Sequence, residues 1–89
     1  MRFKFFLDGT GAPHIYKHAV SDREIVDFFT KSKYFQFKRK DGSFEAFAKI
    51  PNGRYLQVAY RKESDNVTFI ITAYHIEDKE MIHAIEDNL

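Results

Sequence analysis

From Tyr34 onward the chain alternates between apolar and polar positions. Tyr34 to Arg39 sets Phe35 and Phe37 against Gln36 and Lys38. Phe44 to Ile50 sets Phe44, Ala46, Ala48 and Ile50 against Glu45, Phe47 and Lys49, and Arg54 to Lys62 sets Leu56, Val58 and Tyr60 against Tyr55, Gln57 and Arg61. A period of two predicts half-buried strands. Asp41-Gly42 and Pro51-Asn52-Gly53 are hairpin signals between them, and Glu63-Ser64-Asp65-Asn66 is a polar turn. Val67 to Tyr74 is apolar or β-branched on both faces, as in a strand that is central or covered. These segments predict a four-stranded antiparallel meander.

Before the meander the period is different. Residues 2–7 read as a short strand with Phe3 and Phe5 on one face and Lys4 and Phe6 on the other. Asp8 to Pro13, with two glycines, is a loop, and His14 to Ala19 is a short helical turn. Ser21 and Glu24 form a capping box, Val20 and Ile25 occupy the two positions of a hydrophobic staple, and Ile25, Phe28 and Phe29 share one helical face. Asp22 and Glu24 lie in the first turn and Lys31 and Lys33 at the end, as the helix dipole favours. These signals predict a helix over about 22–31. Glu77 to Asn88 predicts a closing helix with Met81, Ile82, Ile85 and Leu89 as its apolar stripe. The order is strand, helix, four-strand meander, helix, which is an α+β class domain spanning residues 1–89.

Composition narrows the function classes. Hydrophobic residues make up 44% of the 89 positions and charged residues 30%, which suits a soluble, folded domain. Fourteen basic residues against thirteen acidic give a net charge of +1, so bulk electrostatic attraction to nucleic acid or anionic lipid is weak and only a local patch would serve. No cysteine is present, which excludes disulfides, a thiolate nucleophile and cysteine-based zinc sites. No segment has the ~18–20 apolar residues of a membrane span, and the first residues are too interrupted for a signal peptide. A cytoplasmic protein without membrane contact is expected.

Three constellations carry candidate chemistry. His14 and His18 have the i, i+4 spacing of a helical metal pair, but a third ligand is lacking nearby, so neither a metal nor another cofactor is expected. Lys38-Arg39-Lys40 is a compact basic tip before the Asp41-Gly42 turn, either solvated or holding phosphates or an acidic partner. Phe35 and Phe37 interleave with these charges and are expected to face the core. If residues 54–62 pair with 67–75 across a four-residue turn, Leu56 faces Ala73, Arg54 faces His75 and Tyr55 faces Tyr74. A cation, an imidazole and two phenols then share one sheet end. On the other face, Lys49, Tyr55, Gln57, Arg61, Thr68 and Ile70, with Phe47 and Tyr74, form a mixed polar and aromatic surface.

Several local stretches are similar to a known family. Lys17-His18-Ala19-Val20-Ser21 before an acidic helix resembles the Lys-His-Gly-Val-Ser start of the first helix in BrnT-type toxins. Gly53-Arg54-Tyr55-Leu56-Gln57-Val58 resembles their Gly-Arg-Tyr-Leu-x-Val strand, and Ile70-Ile71-Thr72-Ala73-Tyr74 resembles their final strand. The resemblance covers about residues 14–74 and points to the wider RelE/ParE-like superfamily of small toxins. It implies a RelE/BrnT-like fold, an antitoxin as partner, and RNA as a substrate cleaved without metal through 2′-hydroxyl attack. Where that family carries Ser-Ala-Arg-Lys, this chain has Thr72-Ala73-Tyr74-His75, so two cationic positions are not matched.

Two readings stand on these residues. In the first, a toxin domain acts as a metal-independent endoribonuclease. His75 is its acid or base, Arg54 and Arg61 bind the phosphate, and Lys38, Arg39 and Lys40 hold the RNA backbone. In the second, a non-catalytic binding or regulatory module of the same fold, in one form a homodimer, uses Tyr55, Tyr74, Gln57 and Phe47 as its interface.

Overall fold

The computed structural model describes residues 2–89. In chain order it has β1 (Arg2–Phe5), a 3-10 helix (His14–His18), α1 (Asp22–Lys31), β2 (Phe35–Lys38), β3 (Phe44–Lys49), β4 (Tyr55–Ser64), β5 (Val67–Ile76) and α2 (Lys79–Asn88). The chain is of the α+β class. The expected meander is present as β2 to β5, but the sheet is five-stranded and mixed rather than four-stranded and antiparallel. β1 joins it at the edge, parallel to β5, in the order β1-β5-β4-β3-β2.

Local chemistry sets α1 as expected. The Ser21 side chain accepts from the Glu24 amide, and the Glu24 carboxylate accepts from the Ser21 amide, so both halves of the capping box form. Val20 and Ile25, the staple pair, are both buried. Ile25 and Phe28 are fully buried and pack with Ile15 and Val20 on Ala46, Ala48, Leu56, Val58, Tyr60, Ile70 and Ala73. Fully burying each such large side chain stabilises the fold by roughly 1.5–3 kcal/mol. The two hairpin turns also form as expected. Gly42 and Gly53 take φ of +88° and +90°, a region that costs glycine little.

The β4–β5 register differs from the expected one. The connecting turn has two residues, Asp65 and Asn66, because Ser64 pairs with Val67. Leu56 therefore stands opposite His75, Gln57 opposite Tyr74, and Tyr55 opposite Ile76. Glu63 on β4 and Ile71 on β5 have no cross-strand partner. These are bulges, one on each strand, and their register shifts cancel. Each bulge also flips the face of the residues beyond it. Ile70 thus lies in the same core as Ala73, beneath α1, and not on the outer face where alternation would place it. Thr68, which alternation pairs with Ile70, is buried as well.

α2 covers part of the opposite face. Ile85 packs with Phe47 and Ile76, flanked by Phe35, Tyr55 and Ile82. The Asp78 side chain caps it by accepting from the Glu80 amide. Met81 and Leu89, expected in its apolar stripe, remain exposed because the helix covers only one end of the sheet. No helix among the described residues is long and apolar enough to cross a membrane.

Candidate functional site

His75 sits on β5 on the α1 side of the sheet, with its side chain 7% exposed. Its Nε2 lies 2.9 Å from Oε2 of Glu24. A carboxylate only accepts, so the imidazole Nε2–H donates. The same oxygen accepts from Nδ2 of Asn52 at 3.1 Å, while Oε1 of Glu24 closes the capping box. The Asn52 Oδ1 in turn accepts from the backbone amide of Arg54 at 2.9 Å. One carboxylate thus ties the start of α1, the β3–β4 turn and the end of β5 together. Burial pushes the Glu24 carboxyl up, but the donors from His75, Ser21 and Asn52 outweigh it and hold the group below its ordinary range.

The register correction separates the residues proposed for catalysis. Arg54 does not face His75; the partner of His75 is Leu56. The Arg54 side chain is exposed and in no ion pair among the described residues. Arg61 lies on β4, seven positions beyond Arg54, which immediately precedes that strand, and about 23 Å away at strand spacing. Its guanidinium covers the Phe69 ring at 4.6 Å and approaches Glu63 at 3.7 Å. Lys38, Arg39 and Lys40 are exposed at the β2–β3 hairpin, the end of the sheet shared with Arg61 and remote from His75.

The outer face gathers the expected interface residues more closely. Phe35, Phe47, Gln57 and Tyr74 form one cross-strand row, and Tyr55 belongs to the next row with Lys49 and Ile76. Gln57 donates to Glu45 at 2.8 Å. The Tyr55 hydroxyl donates to Glu86 of α2 at 2.8 Å, and that carboxylate pushes the phenol up from its ordinary range. The Tyr74 ring lies 5.7 Å from that of His18. His18 and His14 stack edge to face at 5.2 Å, and no cluster of three or more potential metal ligands occurs among the described residues. Thr68 and Ile70, expected on this face, are on the other, for the bulge reason given above.

Phe35 and Phe37, expected to face the core, both lie on the α2 side; Phe35 packs against the Phe47, Ile76 and Ile85 cluster, and only Phe37 departs from the expectation. Phe35 stacks on Phe47 at 5.3 Å, and Phe37 is 59% exposed. With Phe47, Met81, Ala84, Ile85 and Asn88 they line a cleft of about 210 Å³ between β2 and α2. Sequence reasoning missed this cleft, the second role of Glu24 and the role of Asn52. The cleft's one signal was an alternating aromatic pair beside a helix too short to span the sheet.

No family model matches the chain, and neither a curated protein nor a solved structure matches it.

Proposed function

We propose that this chain is a non-catalytic protein-binding module whose partner, an antitoxin-like or other regulatory protein, docks in the cleft between β2 and α2. The observation that carries the reading is Phe37, a large aromatic ring 59% exposed at the rim of an apolar cleft. Exposed aromatic and methionine side chains around a concave apolar surface are what protein interfaces use. The dispersal of the catalytic candidates supports the same reading. Metal-free RNA cleavage needs a proton acceptor and a phosphate-binding cation at one point, whereas His75 is buried against Glu24 and Arg54 and Arg61 are a strand apart.

A RelE/BrnT-like arrangement is compatible with the element order. One detail adds to the resemblance: Ala19 takes φ +59°, ψ 28°, the left-handed region, where the resembled motif carries glycine. A toxic endoribonuclease is the second reading. It is supported by Lys38, Arg39, Lys40 and Arg54, exposed cations in no ion pair among the described residues.

Panning a random peptide library against the immobilised chain tests the first reading. The expected result is enrichment of peptides that bind the wild type and not a folded Phe37→Asp variant. Peptides that bind both equally, or no enrichment, would overturn it. Cleavage of total RNA in the presence of a chelator, lost in Arg54→Ala, would establish the second reading instead.

A further inference from the structure

We infer that β2 accepts an added strand: an extended segment of a partner protein, apolar at alternate positions and acidic at its ends. The inference rests on the binding-module reading and specifies how the cleft is filled.

The first observation is the backbone. β2 is an edge strand, paired on one side only, with β3. The Arg39 amide donates to the Ser43 carbonyl at 2.7 Å, closing the hairpin. Bonded and non-bonded pairs alternate along an antiparallel ladder. Phe37–Glu45 and Phe35–Phe47 are therefore the bonded pairs, and Gln36 and Lys38 direct their N–H and C=O groups outward. An unpaired edge beside an apolar cleft is the geometry of strand addition, in which backbone bonds give affinity and alternate side chains enter a pocket. The alternate side chains of an added strand on the α2 side would meet Phe35, Phe37 and Met81.

The second observation is charge. Lys33 precedes β2, and Lys38, Arg39 and Lys40 end it; all four are exposed and in no ion pair among the described residues. These cations match a segment with carboxylates at its ends. They also disfavour a second copy of this chain, because antiparallel self-pairing brings Lys33 of one copy beside the 38–40 run of the other, and like charges opposite each other destabilise a ladder.

The probe is a synthetic peptide with alternating leucine and threonine in its middle and paired aspartates at both ends; its counterpart carries lysines in place of the aspartates. Calorimetric titration is expected to show binding of the acidic probe, with the lysine form weaker by more than about tenfold. A Lys38→Glu/Arg39→Glu/Lys40→Glu variant, altered only at exposed positions, is expected to reverse that preference. Hydrogen exchange of the Gln36 and Lys38 amides is expected to slow on binding. Binding without charge preference, or without protection of those two amides, overturns strand addition and leaves the cleft reading standing. No binding of the acidic probe overturns the acidic strand, and the library selection then decides the cleft reading separately. Concentration-dependent dimerisation that protects Gln36, or protection by a single-stranded RNA oligonucleotide in place of the peptide, overturns it in favour of that occupant.

Discussion

Glu24 and His75, fifty-one positions apart in the chain, meet through a 2.9 Å hydrogen bond that joins the first turn of α1 to the end of β5. Glu24 has two tasks at once. Its Oε1 completes the capping box and its Oε2 receives both His75 and Asn52. The side chains of the pair are 12% and 7% exposed, so solvent replaces these bonds poorly. The geometry gives His75 a reason to be present that involves no substrate.

The pH dependence of stability follows from that bond. The Glu24 carboxyl is held below its ordinary value of 4.5 in the folded chain. A lowered carboxyl contributes stability that is complete above the unfolded value and is lost as pH falls through the folded one. Glu24→Gln keeps the capping acceptor and the side-chain size but removes the charge. We expect it to cost about 1–2 kcal/mol at pH 7, the scale of charged hydrogen bonds left incomplete. Its stability should then fall less steeply than that of the wild type below about pH 4.5. Urea titrations from pH 7 down to pH 3 check this, and parallel pH profiles for the two proteins would refute it.

Much of the fold could be read in the sequence because its signals are local. The capping box, the staple and the Ile25/Phe28/Phe29 spacing lie within ten residues, and they place α1 at its observed bounds of Asp22–Lys31. The glycines of the two tight turns are equally local, since φ near +90° is a single-residue requirement. The β4–β5 register has no such signal. Val67 to Tyr74 is apolar or β-branched on both faces, so a bulge at Ile71 leaves no break in the pattern. The candidate site failed at the turn instead: a four-residue turn would set Arg54 opposite His75, and the two-residue turn at Asp65-Asn66 shifts the pairing by two positions. The second role of Glu24 depends on a partner in another element, and no local spacing records it. Phe37 is the same residue type as the buried Phe28, and only the extent of α2 decides that it is exposed.

Ala19 offers a stabilising substitution. It is the one non-glycine residue with positive φ among the described residues, at the end of the 3-10 helix, where its amide donates to the Tyr16 carbonyl. The left-handed region costs an L residue roughly 1–2 kcal/mol. Glycine removes that cost and returns about 0.5–1 kcal/mol through the unfolded chain's freedom. Ala19→Gly is therefore expected to stabilise by about 0.5–1 kcal/mol, raising Tm by about 2–8 °C at this chain length. Calorimetric melting decides it; a lower Tm would mean that Ala19 is not held in that conformation.

Deleting Ile71 tests the bulge as a determinant of the fold. With Ile71 present, Ile70 and Ala73 both enter the core under α1, and Tyr60 faces Ile70 while Ala59 faces Thr72. With it absent, β5 either loses its register with β4 or reverses the faces of the residues on one side of the deletion. Reversal from Thr68 to Ile70 would turn Ile70 to solvent and also break the parallel ladder with β1, since Phe3 pairs with Thr68 and Phe5 with Ile70. Losing burial of Ile70 and of the two phenylalanines is on the order of 5–8 kcal/mol, comparable to the whole stability of a domain of this size. The deletion is expected to abolish cooperative unfolding, whereas Ile71→Val, which keeps the bulge, should cost no more than about 1.5 kcal/mol. Denaturant melts followed by circular dichroism distinguish the two. A cooperative transition in the deletion variant would show that the β4–β5 register is set by the Asp65-Asn66 turn alone.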